Sequence, residues 1–311
     1  MYMWFKNLQL YRFVDSFELS EQDFAAKLAE QRFQPCGRQS KEAVGWISPL
    51  HRHQDELVYH ANGCFLFCMR KEQKVIPPSM INEALEERIS EIEIEQGRKV
   101  FRKEKQQFKE DIMAMLLPKA FTRATHTHAY IDTRNGFMVV NAGSIALADT
   151  FISLLVDSLG VLGAVKVDAE QNPAITMNQW LLEGLPESWS LSGDYELKDP
   201  QDERVARFKD NELDGQESKN LVVQDLIEDG YWVSKLGLYY KSLFKCTVTD
   251  DLQIKGVKFG DELLNQNDEL DIEDHMAKFD ADFVLMTQAV SEFFSDFSKA
   301  FQLMSERQSS D

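Results

Sequence analysis

Two Asn-Gly dipeptides, each placed between short apolar runs, constrain the fold of this 311-residue chain more than any other feature. Asn62-Gly63 separates residues 57–61 from residues 64–68, and Asn135-Gly136 lies between a similar pair of runs. Because Asn and Gly tolerate the positive φ angles of a tight type I′ turn, each dipeptide predicts a β-hairpin. The chain is therefore expected to contain antiparallel sheets.

A helical pattern follows each hairpin. After the first, an apolar stripe starts behind Ser79, a residue type that caps helices, and continues past a weak point at Gly97 to Pro118, where Pro ends it. After the second, residues 145–159 show the same periodicity. The repeated order of hairpin and helix indicates an approximate internal duplication.

The remaining patterns predict an α+β protein with several subdomains. Residues 184–220 combine many acids with Pro and Gly, a composition typical of irregular connections, so we place a domain boundary there. The predicted units are central α/β subdomains over residues 1–76 with 118–183, a long basic helical segment over residues 77–117, and an acidic C-terminal α+β domain over residues 184–311. Strands are expected at residues 3–14 and, as an antiparallel meander, at residues 231–240, 243–248 and 252–259, before a final amphipathic helix.

Composition excludes several classes of protein. With 43% hydrophobic residues the chain is not expected to be disordered, and its apolar runs are far shorter than the ~20 residues of a membrane-spanning helix. The N-terminus shows no secretory leader, and the four widely spaced cysteines are expected to be buried thiols, so we expect a cytoplasmic protein. Dinucleotide, phosphate-loop and nucleophile-elbow motifs are absent from the sequence, so we expect neither a cofactor nor an enzyme.

The net charge of −18 is unevenly distributed. Residues 1–166 hold 21 basic and 21 acidic residues, whereas residues 167–311 hold 13 basic and 31 acidic residues and so carry all of the excess. An acidic protein repels nucleic acid at long range, so DNA binding would require cations gathered on one surface.

Residues 98–109 contain such a cluster of basic residues. Arg98, Arg102, Lys105 and Lys109 recur at spacings that place all four on one face of a continuous helix, and Lys99 and Lys103 broaden the row. Nearby apolar residues are expected to dock this helix, namely Phe101, Phe108, Ile112 and Met115. A rigid row of cations can follow a phosphate backbone without reading bases. The alternative is a solvated helix face paired with Glu91, Glu93 and Glu95.

Two further patterns raise the question of metal chemistry. The pairs His51/His53 and His126/His128 would each point to one side of a strand, although we favour ordinary histidines. Asp280 and Asp282, with Asp261, Glu262 or Asp268, would supply the carboxylates of a two-metal nuclease. We favour the simpler interpretation that Asp280 and Asp282 cap or start the last helix.

Landmarks along the whole chain resemble the recombination-associated RdgC family. These landmarks are Met3-Trp4-Phe5-Lys6-Asn7-Leu8, Pro35-Cys36-Gly37, Gly45-Trp46, Ala61-Asn62-Gly63, Arg70-Lys71-Glu72, Leu116-Leu117-Pro118-Lys119-Ala120-Phe121, Lys258-Phe259, Asp261-Glu262-Leu263 and Phe279-Asp280-Ala281-Asp282-Phe283. No single landmark is specific, but their order and combination are.

The resemblance implies a non-enzymatic, nucleoid-associated protein that forms a ring-shaped homodimer. Such a ring would encircle double-stranded or single-stranded DNA without sequence preference and limit RecA-promoted strand exchange. The acidic net charge and the short apolar runs predict no membrane partner. Arg98, Lys99 and Lys119 match basic positions of the family's DNA-binding hole, and Phe121 matches an apolar residue of its dimer interface. Residues 186–220 depart from the family pattern, and Arg204, Arg207 and Lys209 are the local cations that are candidates for the second dimer contact. A metal-dependent nuclease and an acidic protein-protein adaptor remain the alternatives.

Overall fold

A computed structural model describes residues 4–50, 55–202, 204–209, 216–266 and 275–304, without the side chains of residues 216–220 and 275. These residues form two antiparallel sheets and eight α-helices, which confirms the α+β class. The strands are β1 (Gln9–Phe13), β2 (Glu42–Ile47), β3 (Val58–Ala61), β4 (Cys64–Val75), β5 (Phe121–Asp132), β6 (Phe137–Val140), β7 (Ala164–Lys166), β8 (Trp189–Lys198), β9 (Val205–Phe208), β10 (Trp232–Tyr240), β11 (Phe244–Thr249) and β12 (Ile254–Phe259). The helices are α1 (Glu21–Ala29), α2 (Pro78–Gln96), α3 (Arg102–Leu116), α4 (Ile145–Leu159), α5 (Pro173–Glu183), α6 (Gln216–Glu228), α7 (Asp261–Asn265) and α8 (His275–Ala300).

The first sheet has seven strands in the order β2-β4-β5-β6-β1-β7, with β3 also paired to β4. Its longest pairing joins β4 to β5 over twelve residues, from Cys64 opposite Asp132 to Val75 opposite Phe121. Since α2 and α3 connect these two strands, the helical segment leaves the sheet at Val75 and returns to it at Phe121. The basic residues of interest are thus attached to the open end of the longest strand pair.

Both Asn-Gly hairpins are present, with different turns. Asn62 and Gly63 have φ angles of 50° and 72°, which confirms the two-residue turn between β3 and β4. The second connection is instead a four-residue loop, because β5 ends at Asp132. The Asp132 carboxylate accepts hydrogen bonds from the backbone N–H groups of Arg134 and Asn135 at 3.1 and 3.0 Å, which stabilises the longer loop.

The second sheet has five strands in the order β12-β11-β10-β8-β9. The predicted meander forms β10, β11 and β12. The expectation that residues 184–220 are irregular is wrong for β8 and β9, which extend this sheet. The charged residues of this segment suggested a loop. Glu196 of β8 instead forms salt bridges with Lys235 and Arg207, so a charged residue is accommodated within the sheet.

One apolar core lies between the two sheets and includes residues on both sides of position 184, such as Phe137 and Tyr240. Helix α8 contributes to this core: the Phe283 ring contacts Tyr130 of the first sheet, with centroids 6.0 Å apart, and the Phe293 ring contacts Tyr240 of the second at 5.3 Å. The opposite face of the first sheet packs against α1 and α4 in a separate core. The proposed division into domains stays a prediction.

The N-terminal segment links the two sheets. Leu8 exchanges backbone hydrogen bonds with Ile254 of β12, and the next residues continue as β1 of the first sheet. The predicted strand over residues 3–14 is therefore a shorter strand preceded by a bridge to the other sheet, with Met3 outside the described residues. Among the residues that the structure describes, no helix combines the length and apolar character needed to cross a bilayer.

The four cysteines are free thiols, and the expectation that they are buried is confirmed for three of them and wrong for Cys36. Cys64, Cys68 and Cys246 are buried, whereas Cys36 is only half-buried. Burial raises the pKa of the three buried thiols to about 12, so they stay protonated and unreactive near neutral pH.

Candidate nucleic-acid interface

The predicted continuous helix over residues 79–117 is wrong, because two helices form instead. Helix α2 ends at Gln96 and α3 begins at Arg102, and the two pack chiefly against each other. Arg88 of α2 lies 6.0 Å from the Phe108 ring of α3, which places the helices side by side as an antiparallel hairpin. Ser79 also lies inside the first turn of α2 and does not cap it, since the N-cap residue is Pro77.

Gly97 reverses the chain between the two helices. Its φ of 61° is left-handed, a conformation that Gly adopts far more readily than other residues. Its N–H donates to the carbonyl oxygen of Glu93 at 3.1 Å, while the Glu93 carboxylate accepts the N–H of Val100 at the same distance. Val100 is buried together with Ile92 and Ile112, so apolar packing inside the hairpin holds the reversal in place.

This reversal divides the predicted row of cations. Arg98 and Lys99 lie in the connection between the helices, whereas Arg102, Lys105 and Lys109 share a face of α3, with Lys103 beside them. All six residues are exposed. We define residues 98–105 as the hairpin tip, which contains five of these cations and Glu104 as its one acid.

Glu104 organises the tip. It accepts two hydrogen bonds from the Arg98 guanidinium, at 2.9 and 2.7 Å, and one from the backbone N–H of Phe101 at 3.1 Å. These hydrogen bonds lower the pKa of Glu104 to about 2. Arg98 is thus an ion-pair partner inside the protein, and its charge is partly neutralised before any ligand arrives.

The other tip cations have no carboxylate within salt-bridge distance among the described residues. The alternative pairing with Glu91 and Glu93 is not observed, since Glu91 pairs with Arg88 and Glu93 binds the backbone of Val100. Exposed acids of α2, including Glu95, still reduce the positive potential nearby. The arrangement can attract an anionic polymer to the tip, mainly through Lys99 and the first turns of α3.

The apolar residues expected to dock the basic helix do so only in part. Ile112 is buried and Phe108 is half-buried, but Phe101 is 70% exposed and Met115 is 59% exposed. Phe101 is the residue before α3, and the neighbouring Val100 makes the buried contact instead. The sequence contained a signal for this, because Gly97 allows a reversal that rotates Phe101 away from the packed face.

Lys119 and Phe121 lie where the hairpin rejoins the sheet. Lys119 is exposed in a 3-10 turn, Leu117–Lys119, and Phe121 begins β5 with 88% of its side chain exposed. Val75, opposite Phe121 on β4, is also exposed, at 47%. The Lys74 ammonium donates to the carbonyl oxygen of Leu117 at 2.9 Å and fixes this end of the hairpin to β4. Exposed apolar side chains on a paired strand end are typical of a contact surface.

The candidate metal ligands do not converge in the part of the chain that the structure describes. His126 and His128 share one side of β5, as expected, and burial lowers the pKa of His128 to about 4. His51, His53 and Asp268 lie outside the described residues. The described residues contain no group of three or more His, Cys, Asp or Glu side chains arranged to hold a metal ion.

Asp280 and Asp282 do not cap α8, which already begins at His275. Asp280 accepts a hydrogen bond from the Tyr59 hydroxyl of β3, and Asp282 is buried. The capping interpretation is therefore wrong, because the helix extends further toward the N-terminus than the Asp pair indicated. Asp280 instead attaches α8 to the first sheet.

A family model described as "Putative exonuclease, RdgC" matches residues 3–304. The recombination-associated protein RdgC of Aeromonas hydrophila is 41% identical over 293 residues, 94% of this chain and 95% of that protein. The proteins of the same name from Tolumonas auensis and Colwellia psychrerythraea are 40% and 39% identical, covering 94% and 97% of this chain and 95% and 97% of their own lengths.

The names of the family and of its members differ about catalysis. The relatives are named for recombination, whereas the family model is described as an exonuclease, so the expectation that the chain is not an enzyme stays a prediction. Both comparisons extend over nearly the whole chain and agree with the landmarks in its sequence. The chain belongs to the RdgC family of recombination-associated proteins.

Proposed function

We propose that this protein binds DNA without sequence preference, as a homodimer closed into a ring around duplex or single-stranded DNA. The observation that carries the proposal is the hairpin tip, where Lys99, Arg102, Lys103 and Lys105 are exposed without carboxylate partners among the described residues. Cations of this kind bind phosphates and release counterions but do not distinguish bases. The strongly acidic residues 167–311 would face away from the DNA.

The dimer contact is assigned to the strand end that carries Phe121. An 88% exposed Phe beside an exposed Val75 leaves apolar surface in water, and a second copy of the chain would cover it. Lys119, two residues away, would then lie close to the joint between protomers. A ring closed here would hold both hairpins near the enclosed DNA.

Occupation of DNA would hinder RecA. A ring around the DNA would block growth of a RecA filament along it, so strand exchange would slow without direct contact between the two proteins. The family's recombination name supports a role in this process. We accordingly place the protein in the cytoplasm, on the nucleoid.

The test is a fluorescence anisotropy titration of two unrelated duplexes in EDTA across a salt series. We expect both duplexes to bind with similar affinity, with a dissociation constant of ~10⁻⁴–10⁻⁶ M or tighter, and affinity to fall steeply with salt. The variant Lys99→Glu/Arg102→Glu/Lys105→Glu should lose most of this binding. The matched control Lys27→Glu/Arg38→Glu/Lys41→Glu changes three exposed cations elsewhere and should retain it.

Equal loss in both triple variants would show that net charge, and not the hairpin tip, controls binding. No binding by the unmodified protein at low salt would favour the acidic adaptor instead.

The exonuclease description supports a second candidate function. End-labelled duplex incubated with Mg²⁺ or Mn²⁺ would be shortened by a nuclease and left intact by a protein that only binds DNA. Asp280→Asn tests the C-terminal carboxylates in the same assay.

A further inference from the structure

We propose that Phe101 is a stacking platform for an unpaired DNA base. The hairpin tip would then bind single-stranded DNA through an aromatic ring as well as through its cations. This inference rests on the proposed function and adds a residue that distinguishes single strands from duplexes.

The exposure of Phe101 is unusual within this chain. The protein has 21 Phe residues, all within the described ranges, and only Phe101 and Phe121 are exposed. Phe121 lies on a paired strand with an apolar neighbour, which suits a protein contact. Phe101 lies instead among charged side chains, where apolar contact with a second protein surface is less favourable.

Packing within the protein does not explain why position 101 carries an aromatic side chain. The backbone of Phe101 stabilises the start of α3. Its N–H donates to the Glu104 carboxylate, and its carbonyl oxygen accepts the first helical hydrogen bond of α3 from Lys105 at 3.0 Å. The side chain of Phe101 takes no part in these hydrogen bonds. Within the described part of the chain, no second aromatic ring stacks on Phe101, and Val100 fills the apolar space inside the hairpin.

The charges around Phe101 point to the ligand. Lys99 lies two residues before Phe101, and Arg102 and Lys103 follow it directly. Glu104, the only acid of the tip, is already bound by Arg98 and by the backbone. A ligand that suits this surface has regularly spaced negative charges and flat apolar faces. Single-stranded nucleic acid has both, because its bases are free to unstack, and aromatic rings among basic residues are the usual platform for it. A duplex presents the phosphates but keeps its base faces covered.

The experiment compares Phe101→Ala with Ile94→Ala. Ile94 is 80% exposed in the last turn of α2 and serves as a matched removal of exposed apolar surface close to the tip. Anisotropy titrations use labelled oligo-dT and a labelled duplex of equal length, in EDTA. We expect Phe101→Ala to weaken oligo-dT binding about tenfold, within the range for base-aromatic stacking, and to change duplex binding less than twofold. Ile94→Ala should leave both affinities unchanged.

Two further readouts separate stacking from charge. Phe101→Ala should leave the salt dependence of oligo-dT binding unchanged, whereas Lys99→Ala should reduce its slope, since only a cation releases counterions. Phe101→Tyr should restore oligo-dT affinity, because its ring stacks equally well. Circular dichroism of each variant monitors folding.

Unchanged oligo-dT binding by Phe101→Ala would overturn the inference and leave the proposed function intact. Equal losses for oligo-dT and duplex would overturn it as well, since stacking requires an unpaired base. A change of oligomeric state in Phe101→Ala would assign the ring to a contact between copies of the chain. Failure of the unmodified protein to bind either DNA would remove the proposed function and this inference together.

Discussion

Arg98 donates hydrogen bonds from both terminal guanidinium nitrogens to the carboxylate of Glu104, six residues further along the chain. The pair spans the connection between α2 and α3, and Glu104 also binds the backbone N–H of Phe101. One acid therefore fixes the conformation of the most basic part of the protein. It also withdraws Arg98 partly from ligand binding, so the two cations at positions 98 and 99 are expected to differ in function.

Gly97→Ala should destabilise the protein by about 1 kcal/mol. The positive φ of 61° at Gly97 is costly for any residue with a Cβ atom, although the space around an added Cβ is empty. In a continuous helix the same change would instead stabilise the protein by about 1 kcal/mol, because Ala is the better helix former. The sign of the change in the urea unfolding midpoint therefore distinguishes a hairpin from a straight helix.

Glu104→Gln should lower thermal stability at pH 6 more than at pH 3. The pKa of Glu104 is lowered to about 2, from an ordinary value of about 4.3, so the stabilisation is present above the ordinary pKa and is lost as pH falls toward 2. The Tm difference between the two proteins measures this directly. Because Glu104 lies at the surface, the effect should also shrink in high salt. A Tm difference that is independent of pH would contradict the ion pair.

Glu104→Gln should also strengthen DNA binding at low salt. The substitution removes one negative charge and frees the Arg98 guanidinium for phosphate. In anisotropy titrations of one duplex, both the affinity and the steepness of its salt dependence should increase. Weaker binding would mean that the fixed shape of the tip matters more to DNA than the additional charge.

Phe121→Ala should shift the monomer-dimer equilibrium toward monomer by about 2 kcal/mol or more, as expected of a buried aromatic residue in an interface. Analytical ultracentrifugation over a dilution series measures the change. Val161→Ala is the control, since Val161 is 82% exposed at a different part of the surface. A dimer that dissociates equally in both variants would exclude Phe121 from the contact.

Phe283→Ala should destabilise the protein by about 3–5 kcal/mol, the usual cost of removing a fully buried Phe. Its ring contacts both Tyr59 and Tyr130, so the loss would loosen α8 from the first sheet. Phe101→Ala removes the same atoms from an exposed position and should change stability by less than about 0.5 kcal/mol. Chemical denaturation of the two variants side by side gives the comparison.

Local patterns predicted several elements well. Helix α4 has the bounds that its periodicity indicated, and the meander of β10, β11 and β12 follows from alternating apolar residues and turn dipeptides. Such elements depend on neighbours in sequence, so periodicity and turn chemistry suffice. β8 was missed because its charged residues form ion pairs with other strands, and those partners are distant in sequence.

In the candidate interface, too, some features could be predicted from local sequence and others could not. The type and number of cations near residue 100 can be read from the sequence, but their arrangement on one helix face was wrong. Gly97 is compatible both with a helix interior, at a modest cost, and with a left-handed reversal. The choice between them depends on whether α2 and α3 gain more by packing on each other through Ile92, Val100 and Ile112.

The amino-acid sequence by itself determined the α+β class, the two hairpins, the uneven charge and the family. Each of these depends on residue type, local spacing or the order of landmarks along the chain. Only the tertiary structure decided that the basic segment folds back on itself, that Arg98 is held by Glu104, and that Phe101 and Phe121 remain in solvent. These features follow from the competition between packing and exposure of residues brought together by folding, and local spacing alone does not resolve that competition.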